Sequence, residues 1–371
     1  MSNRPNTNAA RLKRLSIRNF RGIDRLELDL TDGDGAPLDF VVLAGANTTG
    51  KTSVLEASLM LLTGTDAQLP PDRAELGEQV RFGTPECAIE GTLVVDGATC
   101  NASFWLTPDD RSPSSALTDA TSAASAHSIW YPVIPTYNWD EAYPAEPVSV
   151  QYFSARRDPL HLGKTPDPRG RPAEGEASRL SELKRRLVSA YYRALRKGSR
   201  SGYASDGPFA RLQRAWSRFD AQERVIDVIP VSNDEGSGEE VVLRDDRPVP
   251  SDVTSLAMAR RLAASRTDIP TMVPLDRLSS GQIALLSFAG PLLFTDRPAD
   301  VVIIDEPEQH LHVQWQQVLM DALRELSPTS QFIVATHSQD IVDSALSYER
   351  FVLVSGGAET EAAKPDSSAA E

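Results

Sequence analysis

Residues 45–53 read GANTTGKTS: a glycine, four residues, then Gly50, Lys51 and Thr52. Before them stands DFVVLA (39–44), a short continuous apolar run of the kind carried by a strand buried on both faces. After them, TSVLEASLMLLTG (52–64) places apolar residues at helical spacing and stops at Gly64. A glycine loop joining a buried strand to a helix leaves a chain few folds. The glycines let the backbone wrap closely, and the first N–H groups of the helix then converge on one point. That is a phosphate cradle, and it predicts an α/β fold around a largely parallel sheet. Gly45, Asn47, Gly50, Lys51, Thr52 and Ser53 are the candidate ATP-binding residues. Lys51 supplies a point charge to the β and γ phosphates, and the Thr52 hydroxyl is placed for Mg2+.

A second buried strand supplies the partner carboxylates. VVIIDE (301–306) ends in Asp305 and Glu306 at the carboxyl end of a strand, where sheet ligands bind. Asp305 is the candidate Mg2+ ligand, and Glu306 the candidate base for a hydrolytic water. ATHS (335–338) follows a third apolar strand, QFIVA, and brings His337 to the same sheet edge. LSSGQ (278–282) begins 23 residues before VVIIDE. Taken locally it is a helix start, with Ser279 or Ser280 as N-cap of QIALLSFAGPLLF, and a capped helix N-terminus favours an anion.

These motifs, in this order, resemble those of ABC-type ATPases: Walker A loop, signature, Walker B strand, switch histidine. The wording RLSIRNFRGIDRLELDL, DEPEQHLH and ATHSQDIV is similar to the RecF/SMC/OLD-like branch, the soluble heads of DNA-repair, chromosome-organising and phage-defence machines. YFSARRDPL (152–160) resembles a segment of overcoming-lysogenisation-defect-type ATPases. The resemblance implies that Ser279, Gly281 and Gln282 of one copy meet the γ-phosphate held by Lys51 of another. It also implies that His337 sits beside that phosphate and that Gln151 stands near a Q-loop position contacting Mg2+. His310 and His312 lie two apart, but without further ligands nearby that is no metal set, and the resemblance puts their loop at the dimer interface. The signature carries serine where many relatives have its first glycine. The implied fold is an ABC-ATPase head with an N-terminal antiparallel β subdomain and a short helical insertion.

The organisation along the chain follows. Residues 12–30 read as strand, turn and strand, and 86–106 as a hairpin about Asp96-Gly97. Residues 107–128, rich in Ser, Ala and Thr, read as a mobile loop, and 129–147 as an irregular excursion. VSVQYF (148–153) returns to a strand, and PDPRGRPAEGE (166–176) is a linker. The expected blocks are 1–177 (ATPase lobe I), 178–225 (basic helical insertion), 226–355 (lobe II) and 356–371 (disordered tail). Net charge is −14, yet residues 176–218 hold eleven Lys/Arg against three acids. Lys184, Arg185, Arg186 and Arg193 are therefore candidate contacts for a partner or for duplex DNA.

Two cysteines make no disulfide framework, no apolar run is long enough to span a bilayer, and the N-terminus lacks a secretory core. The expectation is a cytoplasmic ATPase acting as a switch, dimeric or larger, that drives a separate effector such as a nuclease in phage defence or DNA surveillance. The alternative is a RecF-like repair clamp gripping DNA through the basic arm.

Overall fold

The computed structural model describes residues 10–63, 76–95, 97–109, 114–118, 148–155, 175–196, 207–220, 222–233, 236–294, 298–356 and 359–363. Its contacts divide into two units. The first is Met1–Arg157 with Arg297–Gln309 and Thr329–Glu371; the second is Asp158–Asp296 with His310–Pro328. The units interleave along the chain. The segments carrying Asp305 and His337 belong with the glycine loop, and LSSGQ belongs with the helical arm.

The first unit contains two sheets. The antiparallel one has β1 (Arg11–Phe20), β2 (Ile23–Asp29), β4 (Cys87–Val95), β5 (Ala98–Leu106) and β6 (Ser114–Thr118), in the order β2-β1-β4-β5-β6. Leu12, Leu15 and Ile17 all face the core, although a strict two-residue alternation would turn one of them outward. A register shift between Leu12 and Arg14 against β4 resolves this: a bulge re-aims the strand by one residue.

The second sheet has β3 (Phe40–Ala44), β7 (Val150–Phe153), β11 (Val301–Asp305), β12 (Gln331–Thr336), β13 (Arg350–Gly356) and β14 (Glu359–Ala363). Its order is β14-β13-β3-β12-β11-β7, parallel except for β14. Helix α1 (Lys51–Thr63) is buried on all sides, as its near-continuous apolar sequence requires, and joins residues of both sheets in one core. Gln331 is fully buried yet satisfied. Its amide donates to the Leu12 and Leu38 carbonyls and accepts from the Leu12 N–H, at 2.7–2.9 Å.

The second unit holds a three-stranded antiparallel sheet, β10-β9-β8, from β8 (Val225–Asn233), β9 (Gly236–Arg244) and β10 (Met272–Pro274). Its helices are α2 (Gly175–Arg196), α3 (Pro208–Ser217), α4 (Leu256–Leu262), α5 (Ser280–Leu293) and α6 (Val313–Leu326). Helix α2 buries Leu183, Leu187 and Ala190, one stripe at helical spacing. Leu212 and Trp216 of α3, Leu285 and Phe288 of α5 and Leu319 and Leu323 of α6 surround a common apolar centre. The short helix α7 (Gln339–Ser344) belongs to the first unit.

Two expectations need correction. Residues 114–118, read as part of a mobile loop, form β6 by pairing with β5, Ala102 opposite Leu117. Residues 359–363, read as a disordered tail, form β14 against β13. In both, ladder hydrogen bonds from a neighbouring strand overrule a weak local preference. Residues 129–147 and 364–371 lie outside the described residues, as does most of the linker. Among the described residues no helix is long and apolar enough to cross a membrane.

Candidate functional site

The glycine loop sits where sequence places it, between β3 and α1. Gly45 has φ 152°, and a Cβ there would lie 2.6 Å from the Leu353 carbonyl oxygen of β13. Gly50 has φ 91°, and its Cβ would crowd Ile23 at 3.1 Å. Neither position tolerates a side chain without strain. Asn47 is exposed on the loop, and Thr52 and Ser53 occupy the first turn of α1, where N–H groups have no intrahelical acceptor.

Lys51 is 5% exposed and folds back over its own loop, donating to the carbonyls of Gly45 at 2.8 Å and Ala46 at 2.9 Å. Burial lowers its pKa from the ordinary lysine value, against the opposing pull of Glu306 and Asp305. Its Nζ also lies 3.4 Å from His337 Nδ1.

Strand register brings the distant acids to this point. Asp305 pairs with Ala335 and Ala44 with Thr336, so β3, β11 and β12 end together. The Thr52 hydroxyl donates to Asp305 Oδ2 at 2.9 Å. Asp305 is 3% exposed, and burial, with the charges of Glu306 and Glu56, pushes its pKa up to about 6 although Thr52 opposes the shift. Glu306 has φ 46°, a left-handed turn that breaks the strand's alternation. Its Oε1 lies 3.6 Å from His337 Nε2, and its Oε2 accepts from Gln309 Nε2 at 2.6 Å.

The donors fit a hard divalent cation: a hydroxyl and a carboxylate meet at one point, and a cation there would offset the burial that disfavours the carboxylate's charge. Thr52 and Asp305 are the residues that would hold Mg2+.

Gln151 does not join them. It pairs with Val302, three residues before Asp305, and three residues of strand are about 10 Å. Phe153 is opposite Ile304, so Ser154 is the residue that reaches the level of Asp305.

In the second unit Ser279 caps α5 in a capping box: its backbone N–H donates to Gln282 Oε1 at 3.0 Å, and its hydroxyl accepts from Gln282 N at 3.4 Å. Ser279 and Ser280 are exposed. Gly281 is buried, and a Cβ there would lie 2.8 Å from the His310 carbonyl and 3.2 Å from the Trp315 ring. His312 caps α6, its Nδ1 accepting from Gln314 N.

The basic arm is substantially engaged within its own unit. Lys184 contacts Glu240 and Asp276 at 2.5 and 2.7 Å, Arg186 donates to the Phe294 carbonyl, and Arg214 and Arg218 both reach Glu325. Arg185 and Arg193 are exposed.

Sequence reasoning gave no role to Glu56, Arg21, Glu308 or Gln309. Glu56 is fully buried one turn after Thr52 and pairs with Arg21, which also binds Gln79. A single acid inside an apolar helix was the available signal, since such a charge demands a partner.

A strand, glycine loop and helix with Lys51, Thr52, Asp305, Glu306 and His337 at one sheet edge define a P-loop nucleotide-binding head. A family model described as "AAA domain, putative AbiEii toxin, Type IV TA system" matches residues 40–343. Among solved structures, an Smc head bound to the C-winged helix domain of ScpA is 15% identical, with TM-score 0.55 over 96% of this chain and 98% of that one. An Smc head with an extended coiled coil bound to the C-terminal domain of ScpA, derived from Pyrococcus furiosus, gives 14% and 0.55 over 95% and 96%. The SMC head domain from Thermotoga maritima gives 13% and 0.50 over 96% and 99%. At such identities the likeness speaks for the fold. The chain belongs to this AAA-domain family, and its fold is that of the Smc heads.

Proposed function

We propose that the chain binds ATP with Mg2+ and hydrolyses it as a cytoplasmic switch, two copies closing head-to-tail so that each lends its signature serine to the other's phosphate site. The convergence of Lys51, Thr52, Asp305, Glu306 and His337 on one sheet edge carries the hydrolytic part. Lys51 exchanges the Gly45 and Ala46 carbonyls for phosphate oxygens, a favourable trade for a buried ammonium. Glu306, turned out of the strand by its left-handed backbone, takes the proton of the attacking water. His337 orients the same region from its place between Lys51 and Glu306. Bound Mg2+ would neutralise charge on the phosphate oxygens.

Sharing between copies is supported by the exposed Ser279 and Ser280 at the start of α5, in a different unit from Lys51. An effector on a separate chain is supported by Smc heads that bind ScpA, and the family's description names a toxin–antitoxin system; phage defence or DNA surveillance is the setting we propose. The DNA-clamp alternative is less favoured, because Lys184, Arg214 and Arg218 already face carboxylates.

Glu306→Gln tests the switch. It should retain ATP and accumulate as a closed dimer, read as an ATP-dependent shift on sizing chromatography. No shift with ATP demonstrably bound would refute head-to-tail closure.

A further inference from the structure

Glu308 follows Asp305 by three residues, and the mechanism above leaves it without a task. Its carboxylate is nevertheless held as firmly as any near the site. Oε2 accepts from the Thr336 hydroxyl at 2.8 Å, and Oε1 accepts from the His337 backbone N–H at 2.6 Å. Thr336 is fully buried, and its hydroxyl accepts in turn from Ser338 N at 2.9 Å. Ser338 caps α7, its hydroxyl accepting from Ile341 N at 3.2 Å. The turn bearing His337 is thus fixed on both sides, by Glu308 before it and by α7 after it.

The two acids that follow β11 divide the histidine between them. Glu306 faces its ring and Glu308 holds its backbone. A hydrogen bond to a carboxylate is roughly twice as strong as a neutral one, so the clamp limits where the ring can go. The ring, about a third of it exposed, lies 3.4 Å from Lys51 Nζ and 3.6 Å from Glu306 Oε1. A displacement of about 1 Å at such a position can cost about 100-fold in rate.

We propose that Glu308 is a positioning residue for hydrolysis, acting through His337 rather than on nucleotide. This rests on the ATPase reading above. Glu308 fixes the switch histidine against both the P-loop lysine and the catalytic carboxylate, tying the end of β11 to the end of β12. Glutamine can replace it in part, since an amide still accepts from His337 N and can donate to the Thr336 oxygen.

The test is a double-mutant cycle on the full chain. Glu308→Ala should lower kcat about 10- to 100-fold with KM for ATP changed less than about twofold. In a His337→Ala background the same substitution should change kcat by less than about twofold, because the residue it acts through is gone. Glu308→Gln should cost less than about threefold. In nucleotide-free protein, amide exchange at His337 should quicken at least about tenfold in Glu308→Ala and little in Glu308→Gln. An active wild type with full kcat in Glu308→Ala, equal losses in both backgrounds, or unchanged exchange would each overturn the proposal alone. A wild type without any ATPase would instead remove the proposed function, and this role with it.

Discussion

The phosphate site around Lys51 and the signature around Ser279 are built on opposite plans. Near Lys51 the contacts are long-range: Thr52 binds Asp305, and His337 lies beside both Lys51 and Glu306. Near Ser279 the polar contacts are local, closed with Gln282 three residues on, and both serines face solvent. A site assembled from distant strands is organised by the fold itself. A capped helix end offers N–H groups and a hydroxyl but organises no chemistry alone. The first region should therefore govern binding and the chemical step in each copy. The second should matter only when another copy brings phosphate to it.

The largest effect expected within the first region is on turnover. Glu306→Gln should slow ATP hydrolysis about 10²- to 10⁴-fold, the usual worth of a general base, with binding retained. Single-turnover hydrolysis with bound ATP measures this directly, and a loss below tenfold would move the base elsewhere. If the signature serine gave an equal loss in dilute protein, the division between the two regions would fail.

Next comes a pH effect that the signature helix should not show. Asp305 holds its proton to about pH 6 in the folded protein, against an ordinary value of 3.8. The folded state therefore binds that proton more tightly than the unfolded chain. Its stabilising contribution is complete below about pH 4 and is lost as pH rises through 6. The loss is about 3 kcal/mol for a group this buried. Urea unfolding of nucleotide-free protein at pH 4.5 and 7 should show about 2 kcal/mol of it, the rest being lost below pH 4.5; Asp305→Asn should flatten the slope, and Mg2+ should restore stability at pH 7. Parallel slopes in the two proteins would mean that Asp305 is not the group responsible.

Lys51→Ala should weaken ATP binding by about 1.5–3 kcal/mol, roughly 10- to 100-fold, because charge-assisted contacts to phosphate are lost. Titration of a fluorescent ATP analogue into dilute protein separates this from any effect on dimers. An unchanged affinity would mean that the ammonium stays on Gly45 and Ala46 when nucleotide binds.

What could be read from sequence divides along the same line. The glycine loop, the two acids after VVII and the histidine after QFIVA were legible, because each is a local pattern at the end of an apolar strand. Their convergence depends on register, Asp305 with Ala335 and Ala44 with Thr336, which no local pattern encodes. The resemblance implies a Q-loop position near Gln151, and β7 sets that residue opposite Val302. Glu308 acquires meaning only once β11 lies beside β12. The arm's positive charge was counted along the chain, whereas its neutralising acids, Glu240, Asp276 and Glu325, come from well beyond it. The short strands β6 and β14 have little apolar content and exist through their partners.

The smallest effect tests the comparison most sharply. Ser279→Ala removes an N-cap and should lower stability by about 1 kcal/mol. The neighbouring Gly281 lies close against the His310 carbonyl and the Trp315 ring, an approach that does not involve that hydroxyl. ATP affinity in dilute protein should therefore match wild type. Turnover should fall only at concentrations where copies associate, because the hydroxyl is needed only at a phosphate held by another chain. A rate per molecule measured across a dilution series decides this. If the serine variant were equally impaired at every concentration, or if wild type kept its full rate at all dilutions, the signature helix would have no part in a shared site, and the phosphate pocket would be sufficient alone.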